Sequence, residues 1–596
     1  MRPVKRVYQF FIYFLRTKLT RVQYIMLVAT LVGLSSGLAA VLLKTLVHYL
    51  QHWIVDADVS KIAYLLFPAV GLLITVFIVR TFFGSFFEKG IAMVLRSIAR
   101  KNSFIPLSHT YQHVITSSIT VGLGGSAGLE APIVATGSAI GSNIARISDL
   151  SYRERTLLIG CGAAAGISAV FNAPIAGVIF AIEVLLTETI VSYFIPLIIS
   201  SVLGALCSRV ILQESSGLFN FVLQEKFDYN NVPGYIFLGL IAGFVSLYYA
   251  RVFKSTEHRL SGWKFNAYAK ALTGGLILAS LYFLFPPLFG EGYESIKLVA
   301  TGRASAITEH VSYLSLIESN WSVVLFAGLI ILLKPIAAAV TLGSGGNGGN
   351  FAPSLFTGAY LGFFFSKLLN NTGWFRIPES NFSLVGMAGV LSGVMYCPLS
   401  SIFLIAEITN GYELFIPLML TSSISFFIVK SYQRYSMETK QLVKEGEIFT
   451  HQKEKNILTS LRLDEMLQDK YDSISIDKNL ADLVELIKKS DRNIFAVHDT
   501  RNRFVGIIEL NDIKQRLFEH SSFEKTSIKS LLKKPAATLA HTMNMHSVME
   551  TFDITHSWYL PVLNDDKIFL GFISKSKLFS KYRESLASQT DLYDES

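Results

Sequence analysis

The chain has 596 residues, of which 51% are hydrophobic and 16% are charged, and its mean hydropathy is +0.44. This composition excludes a soluble enzyme of the same length and predicts a polytopic membrane protein rather than an enzyme. The net charge of +9 does not require a nucleic-acid partner, because basic residues that flank membrane helices account for much of it.

The N-terminal tail is basic and precedes the first long apolar run, residues 24–50. The positive-inside rule therefore places the tail in the cytoplasm, next to a plasma membrane that the chain crosses several times. Further apolar runs recur as far as residue 430. Some have the roughly 20 residues that span a bilayer, whereas others are short or interrupted by Gly and Pro. Interrupted helices are tolerated at membrane depth only inside protein or beside a water-filled cavity, so several runs are predicted to be half-spanning.

One glycine-rich phrase occurs twice. Residues 124–141 read GGSAGLEAPIVATGSAIG, and residues 345–362, displaced by 221 (345 − 124), read GGNGGNFAPSLFTGAYLG. A second pair, residues 162–183 and 386–407, shares a Pro followed nine residues later by Glu, at a displacement of 224 (386 − 162). Two ordered pairs at nearly one displacement indicate an internal duplication with a site shared between the halves.

Each copy of the phrase is a loop that runs into an apolar helix. A helix N-terminus presents unpaired N–H groups and a partial positive charge, and glycine lets a small anion approach the backbone closely. A single loop of this kind would be better explained by tight helix packing, but two matched loops predict an anion site made of amides. Its predicted members are Gly128, Leu129, Glu130 and Ala131 in the first loop and Gly349, Asn350, Phe351 and Ala352 in the second.

The composition changes near residue 431, beyond which Lys, Asp and Glu become frequent. A further repeat lies in this part of the chain: residues 493–513 match residues 558–578, and each copy predicts a strand, a turn, a strand and a helix. The predicted regions are a transmembrane domain at 1–436, a linker at 437–463, two α/β units at 464–523 and 524–585, and a tail at 586–596.

The membrane part resembles the CLC family of chloride channels and proton-coupled chloride antiporters. The resemblance is carried by GLEAP at 128–132, GNFAP at 349–353, the NAP segment that leads to Glu183 at 172–183, and PLFGEGYESI at 287–296. It implies an α-helical polytopic membrane protein with an inverted internal repeat, assembled in the bilayer as a homodimer with one pathway per subunit. It also implies that chloride or another small anion is the substrate, that protons can take part, and that Glu130 is the gating carboxylate. A buried carboxylate in an apolar run is a functional candidate in its own right.

The two C-terminal units resemble a tandem CBS pair, a cytoplasmic α/β module that often binds adenine nucleotides. The family's ribose-binding pattern is a hydroxyl residue followed three residues later by Asp. The first unit has Glu509 and Asp512, so the hydroxyl is missing, and the second has Ser574 and Lys577, so the carboxylate is missing. A structural, dimer-forming module is therefore favoured over an adenine nucleotide site, and no other cofactor is expected.

The chain departs from the family at one wall of the pathway. The basic residue that usually precedes the gating glutamate is Leu129 here. Spacing places Lys89, which stands 41 residues before Glu130 (130 − 89), at the serine of the family's Gly-Ser-Gly-Ile-Pro motif. We hypothesise that Lys89 supplies the attraction for anions that Leu129 lacks. The alternative is that Lys89 extends to the cytoplasmic water.

The inner half of the pathway also departs from the family. The position of a proton-relaying glutamate in the antiporters holds Val184, as in the channels, and Glu188 on the same helix face is a candidate substitute. The family's pathway tyrosine aligns with Glu438, whereas a register slip of three residues would restore Tyr435. A glutamate beside an anion repels it unless it is protonated, so this half of the pathway is predicted to be reshaped.

These features favour a channel-like chloride pathway that is gated by Glu130. Two alternatives stay open. The first is a proton-coupled chloride antiporter, and the second is a non-conducting membrane sensor that signals through the CBS pair.

Replacing Lys89 with Ser tests the hypothesis of a relocated positive charge. Because the long-range attraction for anions would be lost, we expect chloride flux into liposomes that contain the protein to fall severalfold at low ionic strength. Lys5→Ser in the predicted cytoplasmic tail is the control. Unchanged flux and anion selectivity in the Lys89 variant would contradict the hypothesis.

Overall fold

The computed structural model describes residues 17–56, 61–84, 90–186, 194–212, 225–301, 320–373, 376–409, 411–444, 463, 466–467, 471–518 and 523–587. The contacts divide the chain into two compact units, Met1–Gly446 and Glu447–Ser596. The division falls within the segment predicted to be the linker, most of which lies outside the described residues.

The first unit is helical throughout its described part. Its first half contains α1 (Arg21–Asp56), α2 (Lys61–Ile78), α3 (Gly90–Arg100), α4 (His109–Gly122), α5 (Glu130–Ile147), α6 (Tyr152–Phe171), α7 (Pro174–Phe180) and α8 (Phe194–Leu212). A π-helical turn follows α2 at Val79–Phe83, and another follows α7 at Ala181–Leu185.

The second half of this unit has the same character. It contains α9 (Val232–Ser261), α10 (Ala267–Leu284), α11 (Tyr293–Ala300), α12 (Asn320–Gly343), α13 (Phe351–Asn371), α14 (Glu379–Met395), α15 (Pro398–Ile408), α16 (Phe415–Tyr432) and α17 (Thr439–Lys444). Short 3₁₀ turns precede α9 at Tyr229–Asn231 and α11 at Pro286–Leu288.

Within the described residues, eight helices are long and apolar enough to cross a membrane. The outer helices expose large apolar side chains: Leu31, Leu38 and Leu42 on α1 are 49%, 51% and 54% exposed. Such a surface is unfavourable in water and suits contact with lipid tails. By contrast, α5 and α13 are almost completely buried, as expected for helices surrounded by protein. The first unit is therefore the multi-pass membrane part.

The duplication is visible in matched helix boundaries. The helix before each NAP-like segment ends in the left-handed conformation, at Asn172 (φ 56°) in the first half and at Tyr396 (φ 61°) in the second. Pro174 and Pro398 then occupy the first turns of α7 and α15, where a missing N–H has no helical partner to lose. The repeat thus specifies the same break between two helices in each half.

Close glycine contacts hold the buried helices of each half together. A Cβ on Gly137 of α5 would lie 2.2 Å from the Gly162 carbonyl oxygen of α6. In the second half, a Cβ on Gly358 of α13 would lie 2.3 Å from the Gly386 carbonyl oxygen of α14. Small residues at such crossings let helix backbones approach within a membrane.

The second unit consists of two similar α/β parts. The first part contains β1 (Ser473–Ser475), α18 (Leu480–Lys489), β2 (Ile494–His498), β3 (Phe504–Glu509) and α19 (Leu510–Ile513). The second contains β4 (Leu539–Ala540), α20 (Met545–Thr555), β5 (Tyr559–Leu563), β6 (Phe569–Ser574) and α21 (Lys575–Ala587). In each part a parallel pair of strands is followed by an antiparallel pair, in the orders β1-β2-β3 and β4-β5-β6.

The two parts of this unit pack against each other. The Phe504 N–H donates to the Lys567 carbonyl over 3.0 Å. A small apolar cluster is shared between the parts and contains Ala496, Ile507, Phe569 and Phe572. The repeated strand–turn–strand–helix pattern predicted from the sequence is present in both parts.

Gly362→Ala tests the close packing of α13 on α14. The added methyl would lie 1.9 Å from the Phe382 carbonyl oxygen, and overpacking of this kind costs about 1–3 kcal/mol. We expect the midpoint of thermal unfolding in detergent to fall by several degrees. The control is Gly328→Ala, whose methyl would meet only the edge of the Phe364 ring, at 3.3 Å. Equal midpoints for the two variants would contradict the packing.

Candidate functional site

The two glycine-rich loops meet backbone to backbone. The Gly128 N–H donates to the Gly349 carbonyl over 2.9 Å, and the Gly349 N–H donates back to the Gly128 carbonyl over 2.8 Å. A Cβ on Gly128 would lie 2.9 Å from the Ala352 Cβ, and one on Gly349 would lie 2.6 Å from the Ala131 Cβ. Only glycine lets both backbones come this close.

Two threonines hold this contact in place. Thr341 Oγ1 on α12 accepts from the Ser126 N–H over 3.1 Å, and Thr120 Oγ1 on α4 accepts from the Asn347 N–H over 3.1 Å. The pairs are equivalent under the repeat, because Thr341 and Asn347 stand 221 residues after Thr120 and Ser126. Each half of the chain therefore supports the loop of the other half.

Both loops end at a helix N-terminus. α5 begins at Glu130 and α13 at Phe351, and neither N-cap residue, Leu129 or Asn350, forms a side-chain capping bond. The first-turn N–H groups are thus left without the usual capping acceptor and can bind an anion. The structure brings all eight loop residues named from the sequence into this buried region.

The Glu130 side chain reaches from the first loop to the second. Its carboxyl accepts a hydrogen bond from the Tyr293 hydroxyl and faces the N–H groups of Ala352 and of Glu130 itself. Glu130 is only 1% exposed. The Glu130 carboxyl therefore lies at the start of α13, where a helix N-terminus favours negative charge.

Phe351 occupies, in the second loop, the position of Glu130 in the first. Its ring lies 5.6 Å from the Phe171 ring and 6.1 Å from the Phe180 ring, measured between centroids. The side chain is 2% exposed. At equivalent positions, one loop therefore carries an ionisable group and the other carries a buried aromatic ring.

A second carboxyl approaches the start of α13 from the C-terminal end of the membrane part. Glu438 faces the Asn350 side chain and the Lys254 ammonium. Asn350 Oδ1 accepts from the Tyr249 hydroxyl over 3.2 Å. Both Tyr249 and Lys254 belong to α9, so this helix supplies a tyrosine and a cation at what we call the inner end of the pathway. Sequence reasoning did not single out either residue.

The other inner residues named from the sequence are placed as follows. Tyr435 is half-buried, with its ring 5.8 Å from the Arg434 guanidinium, whereas Glu438 reaches α13 without a register slip. Val184 is half-buried in the π-helical turn after α7. Lys89 and Glu188 lie outside the described residues.

Two further glutamates have a reciprocal structural role. Glu183 accepts from two backbone N–H groups at the start of α15, over 3.1 and 2.9 Å. Glu407 accepts from two backbone N–H groups at the start of α7, over 3.0 and 2.8 Å. Each half thus caps a broken helix of the other, and a carboxylate at a helix N-terminus is favourable.

Lys334 is a fully buried cation that sequence reasoning missed. Its Nζ contacts the carbonyl oxygens of Leu288 and Gly290, over 3.4 and 3.2 Å, and lies 4.4 Å from the centre of the Phe356 ring. The contacted segment, residues 288–293, also carries Glu291 and Tyr293. The signal was present in the sequence, because Lys334 is the only charged residue of the apolar run 322–342.

The nucleotide candidates of the second unit are engaged in local contacts. Lys533 Nζ lies 3.7 Å from the Glu509 carboxylate and 3.1 Å from the Asp512 carboxylate, and the hydrogen bond to Asp512 raises the pKa of Lys533. Ser574 Oγ accepts from the Lys577 N–H over 3.1 Å. A ribose would have to compete with these partners.

Comparisons with known proteins agree with this geometry. A family model described as voltage gated chloride channel matches residues 72–430. A protein of Ralstonia nicotianae described as a ClcB-like chloride channel protein is 28% identical over 411 residues, covering 66% of this chain and 90% of that protein. Among solved structures, a slow cyanobacterial Cl⁻/H⁺ antiporter matches with a TM-score of 0.60 at 20% identity, over 71% of this chain and 97% of that one. A eukaryotic CLC transporter matches with a TM-score of 0.60 at 16% identity, over 93% of this chain and 98% of that one.

The fold and the paired amide loops define a membrane transporter built from inverted repeats. The family match covers more than half of the chain. The chain belongs to the voltage gated chloride channel (CLC) family. The two likenesses to solved structures are below 25% identity and show the fold alone.

Tyr293→Phe tests the hydrogen bond on Glu130. A hydrogen bond to a charged group is worth about 1.5–3 kcal/mol, so its loss should release the carboxylate from the α13 amides and raise chloride flux at neutral pH by about tenfold or more. The control is Tyr282→Phe, because the Tyr282 hydroxyl donates to the Gly124 carbonyl over 3.0 Å instead of to a carboxylate. Equal flux in both variants would show that Tyr293 does not restrain Glu130.

Proposed function

We propose that the protein conducts chloride across the plasma membrane through the paired amide loops, with Glu130 as a proton-controlled gate. One observation carries the proposal: the Glu130 carboxyl lies at the first-turn amides of α13. An ionised carboxylate and a chloride ion compete for those amides. Protonation removes the negative charge, so the side chain loses its attraction and an anion can replace it.

The surroundings of the loops favour a small, weakly hydrated anion. The amides supply partial positive charge, while Phe351, Phe171 and Phe180 exclude water on one side. A desolvated anion is stabilised there by fixed dipoles rather than by a tightly paired formal charge, which permits rapid release.

Channel-like conduction is favoured over proton-coupled antiport, because an apolar residue, Val184, occupies the position of the antiporters' inner glutamate. Antiport is the second candidate, since Glu438 supplies another carboxyl at the inner end of the pathway. The solved cyanobacterial neighbour is itself named as an antiporter. A non-conducting sensor is the third candidate and is opposed by the intact loops.

The orientation and assembly belong to the same proposal. The N-terminus and the C-terminal α/β unit lie in the cytoplasm, and two chains form a homodimer in the bilayer with one pathway each. The C-terminal unit acts as a CBS-type regulatory module. We favour a structural role for it over adenine nucleotide binding, because Lys533 already engages both candidate carboxylates.

Reconstitution of the full chain into chloride-loaded liposomes tests the proposal. We expect chloride efflux that increases as the pH falls, without accompanying proton movement. Glu130→Gln, which mimics the protonated gate, is expected to give flux that no longer varies with pH. Glu413→Gln, at an exposed glutamate of the membrane part, should retain the wild-type pH dependence.

The same assay separates the alternatives. Uphill proton movement driven by a chloride gradient would establish an antiporter. The absence of flux at every pH, with and without ATP, would favour the sensor. Unaltered pH dependence in Glu130→Gln would remove Glu130 from the gate.

A further inference from the structure

Glu130 has little direct access to water. It is 1% exposed, and Tyr293, whose hydroxyl bonds to it, is 6% exposed. A gate that works by protonation needs a route by which protons reach this carboxyl. A neighbouring ionisable group that is closer to the solution is the simplest such route.

Glu291 lies at that position. It faces the Leu129 N–H at the start of α5, next to the Glu130 carboxyl, and it is half-buried. Its loop is attached to the first glycine-rich loop, because the Gly290 N–H donates to the Gly124 carbonyl over 3.2 Å. Gly290 and Gly292 have φ values of 61° and 86°, and this backbone presents Glu291 and Tyr293 to the same carboxyl.

Two lysines also face Glu291. Lys334, 0% exposed, contacts the carbonyl oxygens of Leu288 and Gly290, which precede Glu291, and Lys44 of α1 is half-buried. Among the described residues, Glu130, the Tyr293 hydroxyl and these two lysines are the ionisable groups that face Glu291. The two lysines oppose protonation of Glu291 and the Glu130 carboxylate favours it, so the cluster can both hold and release a proton.

The cluster lies far from the N-terminal end of α1. Arg21, at the start of that helix, pairs with Glu154 over 2.6 Å. Lys44 is 23 residues further on (44 − 21), which corresponds to about 35 Å along an α-helix. Glu291 is therefore near the opposite face of the membrane, which is the outer face if the N-terminus is cytoplasmic.

We propose that Glu291 is the group through which Glu130 exchanges protons with the solution at this opposite face, and that Lys334 positions it. A proton from water binds the Glu291 carboxylate. One O–H bond then breaks at Glu291 and one forms at Glu130, after which Glu291 is again ionised. The inference rests on the proposed gating by Glu130 and identifies the proton donor for that step.

Glu291→Gln in the full chain, reconstituted into liposomes, tests the inference. Because the neighbouring negative charge is lost, Glu130 becomes harder to protonate. The proton concentration at half-maximal chloride flux should therefore rise by about tenfold or more. The pH of half-maximal flux should depend on the pH of the solution at the membrane face opposite the N-terminus. The orientation of the protein in the liposomes is determined by cleavage of an N-terminal tag. Glu294→Gln, at an exposed residue three positions along, should have no effect.

Lys334→Met supplies an independent variant with an effect of the opposite sign. Loss of the buried positive charge makes both carboxyls easier to protonate, so half-maximal flux should occur at a lower proton concentration. A purely structural role would reduce total flux without moving the pH of half-maximal flux. Wild-type pH dependence in Glu291→Gln would overturn the inference. If the Glu291→Gln variant fails to assemble, an unchanged pH of half-maximal flux in Lys334→Met would overturn it instead. The absence of flux in the wild type would instead refute the proposed function.

Discussion

The reciprocal hydrogen bonds between Gly128 and Gly349 are the contact on which the rest of the site depends. They place two helix N-termini, those of α5 and α13, next to each other, and neither N-cap side chain forms a capping bond. A Cβ on either glycine would collide with an alanine of the opposite loop, so no larger residue fits at either position. The position of both helix N-termini, and of the partial positive charge that they carry, follows from this single backbone pairing.

Around this fixed backbone, the side chains break the symmetry. Glu130 and Phe351 are equivalent under the repeat, yet one is a proton acceptor and the other an apolar ring. The same asymmetry recurs further out, where Glu291 and Lys334 are neighbours of Glu130, whereas Glu438 and Lys254 are neighbours of Asn350. A duplicated scaffold thus carries an asymmetric arrangement of charge.

The fold and the two loops could be predicted from the sequence, because the residues that specify them are close together in the chain and occur in two copies. A fixed displacement of 221 residues revealed the loops, and the turn glycines and prolines marked the helix breaks. The sequence was insufficient for Tyr249, Lys254 and Glu291, whose roles depend on contacts with residues far away in the chain. Lys334 is an intermediate case. The sequence shows a single charge in an apolar run, but it does not show which residues that charge contacts. Whether the loops bind an anion stays a prediction.

The reciprocal caps made by Glu183 and Glu407 bear on the origin of the molecule. Each carboxylate completes a helix in the other half, so exchanging the two halves leaves the contact unchanged. That is the property of an isologous interface between identical subunits. A single-repeat ancestor, inserted in both orientations and paired with itself, would have formed the same two caps across a subunit boundary. Within one chain the two halves need not stay identical, so one loop can carry a carboxylate and the other a phenyl ring.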